Sequence, residues 1–186
     1  MAGGRPEHVF ETAHERSKNM QYSVGDKVVH PYHGPGQIIG VERKELIDEA
    51  KRYYVIQIPV QDLTVYVPRR TVDEVGVRPA MSRAKLSRVI ETLKGRPRHL
   101  PPDHKDRQEL VWEKLKTGNV MQLAEVVRDL IWHKELAHLT KKDGDYLDRG
   151  RSLLAAEMAL VSDSDIDEAE RMINDTLAAS VAGREA

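Results

Sequence analysis

Two periods divide this chain. Over residues 21 to about 78 apolar and polar positions alternate with a period of two, and beyond Pro79 the apolar positions recur every three to four residues. The first stretch alternates from Val24, breaks at a Pro/Gly corner between Pro31 and Gly36, and resumes alternating to Val41. Five short strands are predicted, over residues 27–30, 37–44, 52–58, 63–67 and 75–77, each rich in Val, Ile or Tyr and bounded by turn residues. In the fourth, Leu63, Val65 and Val67 share one face and Thr64 and Tyr66 the other, so Tyr66 is expected to point outward. A sheet this short buries one face most economically by curling, which predicts a Tudor-like or SH3-like β-barrel. Gly34 and Gly36 read as the positive-φ positions of a strand connection.

The helical stretch begins with Leu86, Val89, Ile90 and Leu93 at i, i+3, i+4 and i+7, and is expected to stop near Gly95 with Pro97 beyond it. Further helices are predicted over about 103–117, 119–138, 140–160 and 164–179. The second of these is capped by Asn119 and carries the stripe Val120, Leu123, Ala124, Val127 and Ile131. Trp112 and Trp132 sit beside apolar neighbours and read as core residues. The predicted fold class is therefore α+β in two domains: a five-stranded barrel over residues 20–80 and a five-helix, all-α bundle over 81–186. Residues 1–19 are polar, lack a clear period and read as a flexible extension.

Composition narrows the function classes. The chain has 186 residues and no cysteine, so thiol nucleophiles, disulfides and zinc-thiolate sites are excluded. No apolar run approaches the roughly 20 residues needed to cross a bilayer, and Glu7, Glu11 and Glu15 interrupt any signal-peptide core; a soluble cytoplasmic protein without membrane contact is expected. The net charge of -1 conceals a segregation: 16 basic and 11 acidic residues over 82–151, against 2 and 8 over 152–186. A modestly basic middle can support phosphate contacts, although mixed charge on helices is commonly a solvated face.

Candidate chemistry is sparse. His30 and His33 form an H-x-x-H pair in the Pro/Gly corner, which reads as a pair of turn-and-surface histidines; its alternative is a metal-dependent hydrolase. Gly34, Pro35 and Gly36 lack the following Gly-Lys-Ser/Thr of a phosphate loop. The acidic run Asp163, Asp165, Asp167 and Glu168 suits a helix N-terminus rather than a calcium loop. No catalytic centre, metal site or cofactor is predicted, so function is sought in surfaces. Tyr66, Arg69 and Arg70 at the end of a strand, with Lys44 on another, are candidates for an edge to which a partner's strand adds.

Several stretches together carry a resemblance: Val24-Gly25-Asp26-x-Val28-Val29-x-Pro31-x-His33-Gly34, then Asp62 to Pro68, Val75 to Arg78, and Ala124 to Leu130. In this order they closely resemble the CarD/CdnL family of bacterial transcription regulators, from about Met20 to Ser180. The resemblance implies a Tudor-like domain, similar to one in transcription-repair coupling factors, that docks on the RNA polymerase β subunit. It also implies a helical domain that reaches promoter DNA and stabilises the open complex with an aromatic wedge, and hence a non-enzymatic protein associated with the nucleoid through polymerase. Lys44 and Tyr66 match polymerase-facing positions of the family and, with Arg69 at the strand end, are the expected polymerase contacts; His104, Lys105 and Arg107 are the expected DNA contacts. Relatives commonly read Pro-x-x-Trp-x-x-Arg where this chain has Pro101, His104 and Arg107, so a histidine stands at the wedge position. Asp106 and Glu109 also occupy positions that are often basic in relatives, and the corresponding alternative is a polymerase-binding adaptor without DNA contact.

Overall fold

The computed structural model describes residues 22–46 and 49–185; the extension predicted over residues 1–19 lies outside them. Five antiparallel strands form one sheet: β1 (Lys27–His30), β2 (Gly34–Leu46), β3 (Glu49–Ile58), β4 (Leu63–Pro68) and β5 (Arg78–Pro79). Their order is β4-β3-β2-β1-β5, which leaves β4 and β5 as the two ends of the ladder. The five strands expected from the sequence are present as one antiparallel sheet, but its end strands do not pair with each other, so the expected closure into a barrel is not seen among the described residues.

The tight β1–β2 connection needs Gly34, at φ +81°, and brings Val29 opposite Pro35. Gly36 does not have a positive φ, contrary to expectation; it is required for space. A Cβ there would lie 2.4 Å from the Gln57 carbonyl oxygen and 2.5 Å from Ile58 Cδ1. The β2–β3 register shifts at a bulge between Ile38 and Gly40, and strand alternation buries Ile38 while Ile39 is exposed. The inner face packs Val28, Ile38, Tyr54, Ile56, Ile58 and Val67 into one core. Tyr22 closes it: its ring meets Tyr54 edge-on at 5.8 Å and its hydroxyl donates to the Val77 carbonyl. Burial, and then the charge of Asp73, push that hydroxyl's pKa up to about 12.

The strand predicted over 75–77 is absent. Val72–Val75 forms a one-turn helix (α1) ended by Gly76 at φ +86°, and pairing with β1 begins only at Arg78. A short apolar run does not distinguish strand from helix turn, and here the left-handed glycine decides.

Five longer helices follow: α2 (Arg83–Lys94), α3 (His104–Lys116), α4 (Val120–Leu136), α5 (Lys141–Ser162) and α6 (Ile166–Glu185). Side chains cap four of their N-termini: Ser82 on α2, Asp103 on α3, Asn119 on α4, and Thr140 with Asp143 as a reciprocal box on α5. Their apolar stripes meet in a second core built on Val89, Leu93, Val127, Leu130, Leu154 and Ile173. No helix among the described residues is long and apolar enough to cross a membrane.

Polar groups join the sheet to the helices. Glu157 of α5, 1% exposed, takes both Arg78 guanidinium nitrogens at 2.9 and 2.8 Å and the Met81 backbone N–H at 2.8 Å. Arg78 also donates to the Gly118 carbonyl at 2.6 Å. Asp163 was expected to serve a helix N-terminus; it instead ends α5 in the left-handed region and accepts from Lys27 of β1 and Arg83 of α2. Asp167 and Glu168 do lie in the first turn of α6.

Candidate functional site

Two exposed regions concentrate the predicted site residues. The first is the rim made by β4. Tyr66 pairs with Val55 and points away from the core that holds Val65 and Val67, leaving its ring 40% exposed on an end strand. Lys44 of β2 reaches across β3 and sets its Nζ 3.3 Å from the Tyr66 ring centroid, with Glu42 3.6 Å away. Such a cation–π contact contributes about 0.5–1 kcal/mol at an exposed site and holds the ammonium over the ring. Arg69 follows β4 directly and lays its guanidinium 5.2 Å from the ring centroid of buried Tyr54. The structure therefore brings Lys44 and Tyr66 together, with Arg69 at the end of the same strand.

The second region is the N-terminus of α3. Asp103 accepts from the Lys105 and Asp106 amides at 2.8 and 3.2 Å, and those hydrogen bonds hold its carboxyl below the usual carboxylate range. His104 and Lys105 are exposed in the first turn, as are Asp106 and Glu109 nearby. Arg107 is not with them. Its side chain is 3% exposed, its Nη2 meets Asp143 Oδ2 at 2.8 Å, and its Nη1 donates to the carbonyls of Pro101 (2.9 Å) and Pro102 (3.1 Å). A guanidinium committed in this way cannot reach a phosphate, so the expectation for Arg107 is corrected: it fastens the Pro101–Pro102 turn that presents His104. Burial alone would raise the Asp143 carboxyl, but hydrogen bonds from Arg107 and Thr140 outweigh it and hold the pKa low. Arg107 Nε and Asp143 Oδ1 remain buried without partners, so the pair is only partly satisfied.

Two further sequence expectations change. Trp112 is not core: its indole is 40% exposed and stacks on Tyr146 at 5.9 Å, with the Arg149 guanidinium 5.8 Å from the ring. The signal was present in α3, whose buried positions Arg107, Val111 and Leu115 recur every four residues and leave Trp112 about 100° off that line. His30 is not a surface histidine either. It is buried, and its Nδ1 accepts from the Tyr32 and His33 amides at 3.2 and 3.3 Å, tying the hairpin turn. Burial, and then His33, lower its pKa, so the acceptor stays unprotonated at neutral pH. Among the described residues no third His, Asp or Glu completes a metal-sized group. The Arg78–Glu157 join was not legible, because its partners lie 79 residues apart.

The molecule is a small sheet with an exposed tyrosine on an end strand, joined to a capped helical bundle through Arg78–Glu157 and Lys27–Asp163. Its two halves match two family descriptions in chain order: residues 22–81 match the CarD-like/TRCF RID domain and residues 88–174 match the CarD C-terminal domain. These matches define a transcription regulator. The chain belongs to the CarD/CdnL family. It is 31% identical over 141 residues to the Bacillus subtilis (strain 168) protein named "Putative transcription factor YdeB", covering 75% of this chain and 92% of that relative.

Proposed function

We propose that the protein docks on the β subunit of RNA polymerase through the β4 rim and brings the N-terminus of α3 to the upstream edge of melted promoter DNA. The observation that carries this reading is the match of residues 22–81 to the CarD-like/TRCF RID domain. The geometry supports it: β4 is an end strand whose outer backbone edge is open to strand addition, and Tyr66 and Lys44 provide side-chain contacts beside that edge. On the DNA side, His104 and Lys105 are the contacts and Arg107 is the group that positions them. Imidazole is smaller and more polar than indole, so His104 fills an opened base step poorly.

His104→Trp tests the DNA half. With the chain in excess over polymerase at a promoter, the variant is expected to lengthen the open-complex lifetime several-fold; an unchanged lifetime contradicts the wedge assignment.

One observation favours a second reading, an adaptor that binds polymerase and makes no DNA contact. Buried Arg107 is unavailable, and exposed Asp106 and Glu109 flank His104 with negative charge. Under that reading the salt dependence of the polymerase complex on a forked promoter is the same with and without this protein.

A further inference from the structure

At the opposite end of the strand order from the β4 rim, the β1–β2 turn and helices α3 and α5 enclose a cleft of about 300 Å³. Val29, Pro35, Leu115 and Leu153 give it apolar walls. Among its lining side chains Arg78 and Glu157 neutralise each other, and the remaining charges are the cations Lys116 and Arg149. Lys116 is otherwise engaged only with Glu113, in a half-exposed pair three residues away on the same helix, a contact of small worth that exchanges readily for another anion. Arg149 lies over Trp112, whose indole is 40% exposed and also stacks on Tyr146, and at the mouth Tyr32 is 82% exposed. Exposing an indole and a phenol beside an apolar slot costs hydrophobic free energy that burial in the core would have gained.

Exposed aromatic rings, two cations whose present contacts are exposed and weak, and an apolar slot are the chemistry that recognises a nucleobase carrying phosphate: the base stacks, and the anion takes charge-assisted hydrogen bonds. The volume is at the lower end for ligand sites, which suits a single nucleotide better than a longer ligand. We propose that this cleft binds a free nucleoside phosphate, its base against Trp112 and its phosphate on Arg149 and Lys116. This site is separate from the polymerase rim and does not depend on docking. Because its walls come from both the sheet and the helices, occupancy would tie the two together.

The test uses the full chain with Trp132→Phe, leaving Trp112 as the reporting indole, titrated with each common ribonucleoside monophosphate. Adenosine and inorganic phosphate serve as the two partial ligands, and calorimetry on the unsubstituted chain measures the same affinities independently of that substitution. Saturable quenching by at least one nucleotide is expected, with either partial ligand binding more weakly by about tenfold or more, and with Arg149→Glu losing a similar factor. The proposal is overturned by calorimetry without saturable nucleotide binding, by affinity that Arg149→Glu leaves unchanged, or by binding of oligothymidylate alone.

Discussion

Arg107 and Asp143 are both almost fully buried, and each depends on the other for its charge. Removing one member of such a pair leaves an uncompensated ion inside the fold, which costs more than the pair itself contributes. Asp143→Asn is therefore expected to lower stability by about 3 kcal/mol at neutral pH, measured by urea denaturation. The pH dependence follows from the low carboxyl pKa of Asp143. A carboxyl depressed in the folded state contributes stability that is present above its unfolded value, about 3.9, and is lost as pH falls through the lower folded value. The gap between wild type and Asp143→Asn should be constant down to about pH 4 and narrow below it. A gap that stays constant into the acid range would assign the stability to packing rather than to the charge. The same pair fixes the turn before α3, so His104 presentation should weaken in parallel.

Among the elements, the β2–β3 pairing is tightly constrained at Gly36, where the β3 backbone leaves no room for a methyl group. Gly36→Ala should cost about 2 kcal/mol by forcing β2 away from β3, again read from the denaturation midpoint; unchanged stability would contradict the packing described. The sequence located most of these elements. Period-two alternation placed β1 to β4, and caps such as Asn119 together with the apolar stripes placed the long helices, although the last runs six residues past its expected end. What escaped was set by space and by distant partners. The role of Gly36 depends on a strand 21 residues later, and α1 replaces a strand because Gly76 turns the backbone left-handed. Arg107 keeps its place in the family's motif, but whether that cation faces DNA or the interior depends on Asp143, 36 residues on. Beside apolar neighbours Trp112 resembles a core residue, whereas the four-residue spacing of the buried positions in α3 places it outside.

At the scale of the whole molecule, the proposed docking edge and the join to the helices lie at different places along one sheet. The β4 end presents Tyr66 and Lys44, while β5 is joined to the helices through Arg78 and Glu157, and β1 through Lys27 and Asp163. A partner held at the rim would therefore also set the position of α3, because Arg78 of the sheet binds both Glu157 of α5 and the Gly118 carbonyl just after α3. The most direct measurement is the affinity of the full chain for isolated RNA polymerase β subunit, compared with Tyr66→Asp and Lys44→Glu. Saturable binding that each substitution weakens by about tenfold or more is predicted, since both alter the centre of the proposed contact. Absence of binding, or binding that neither substitution changes, would contradict it.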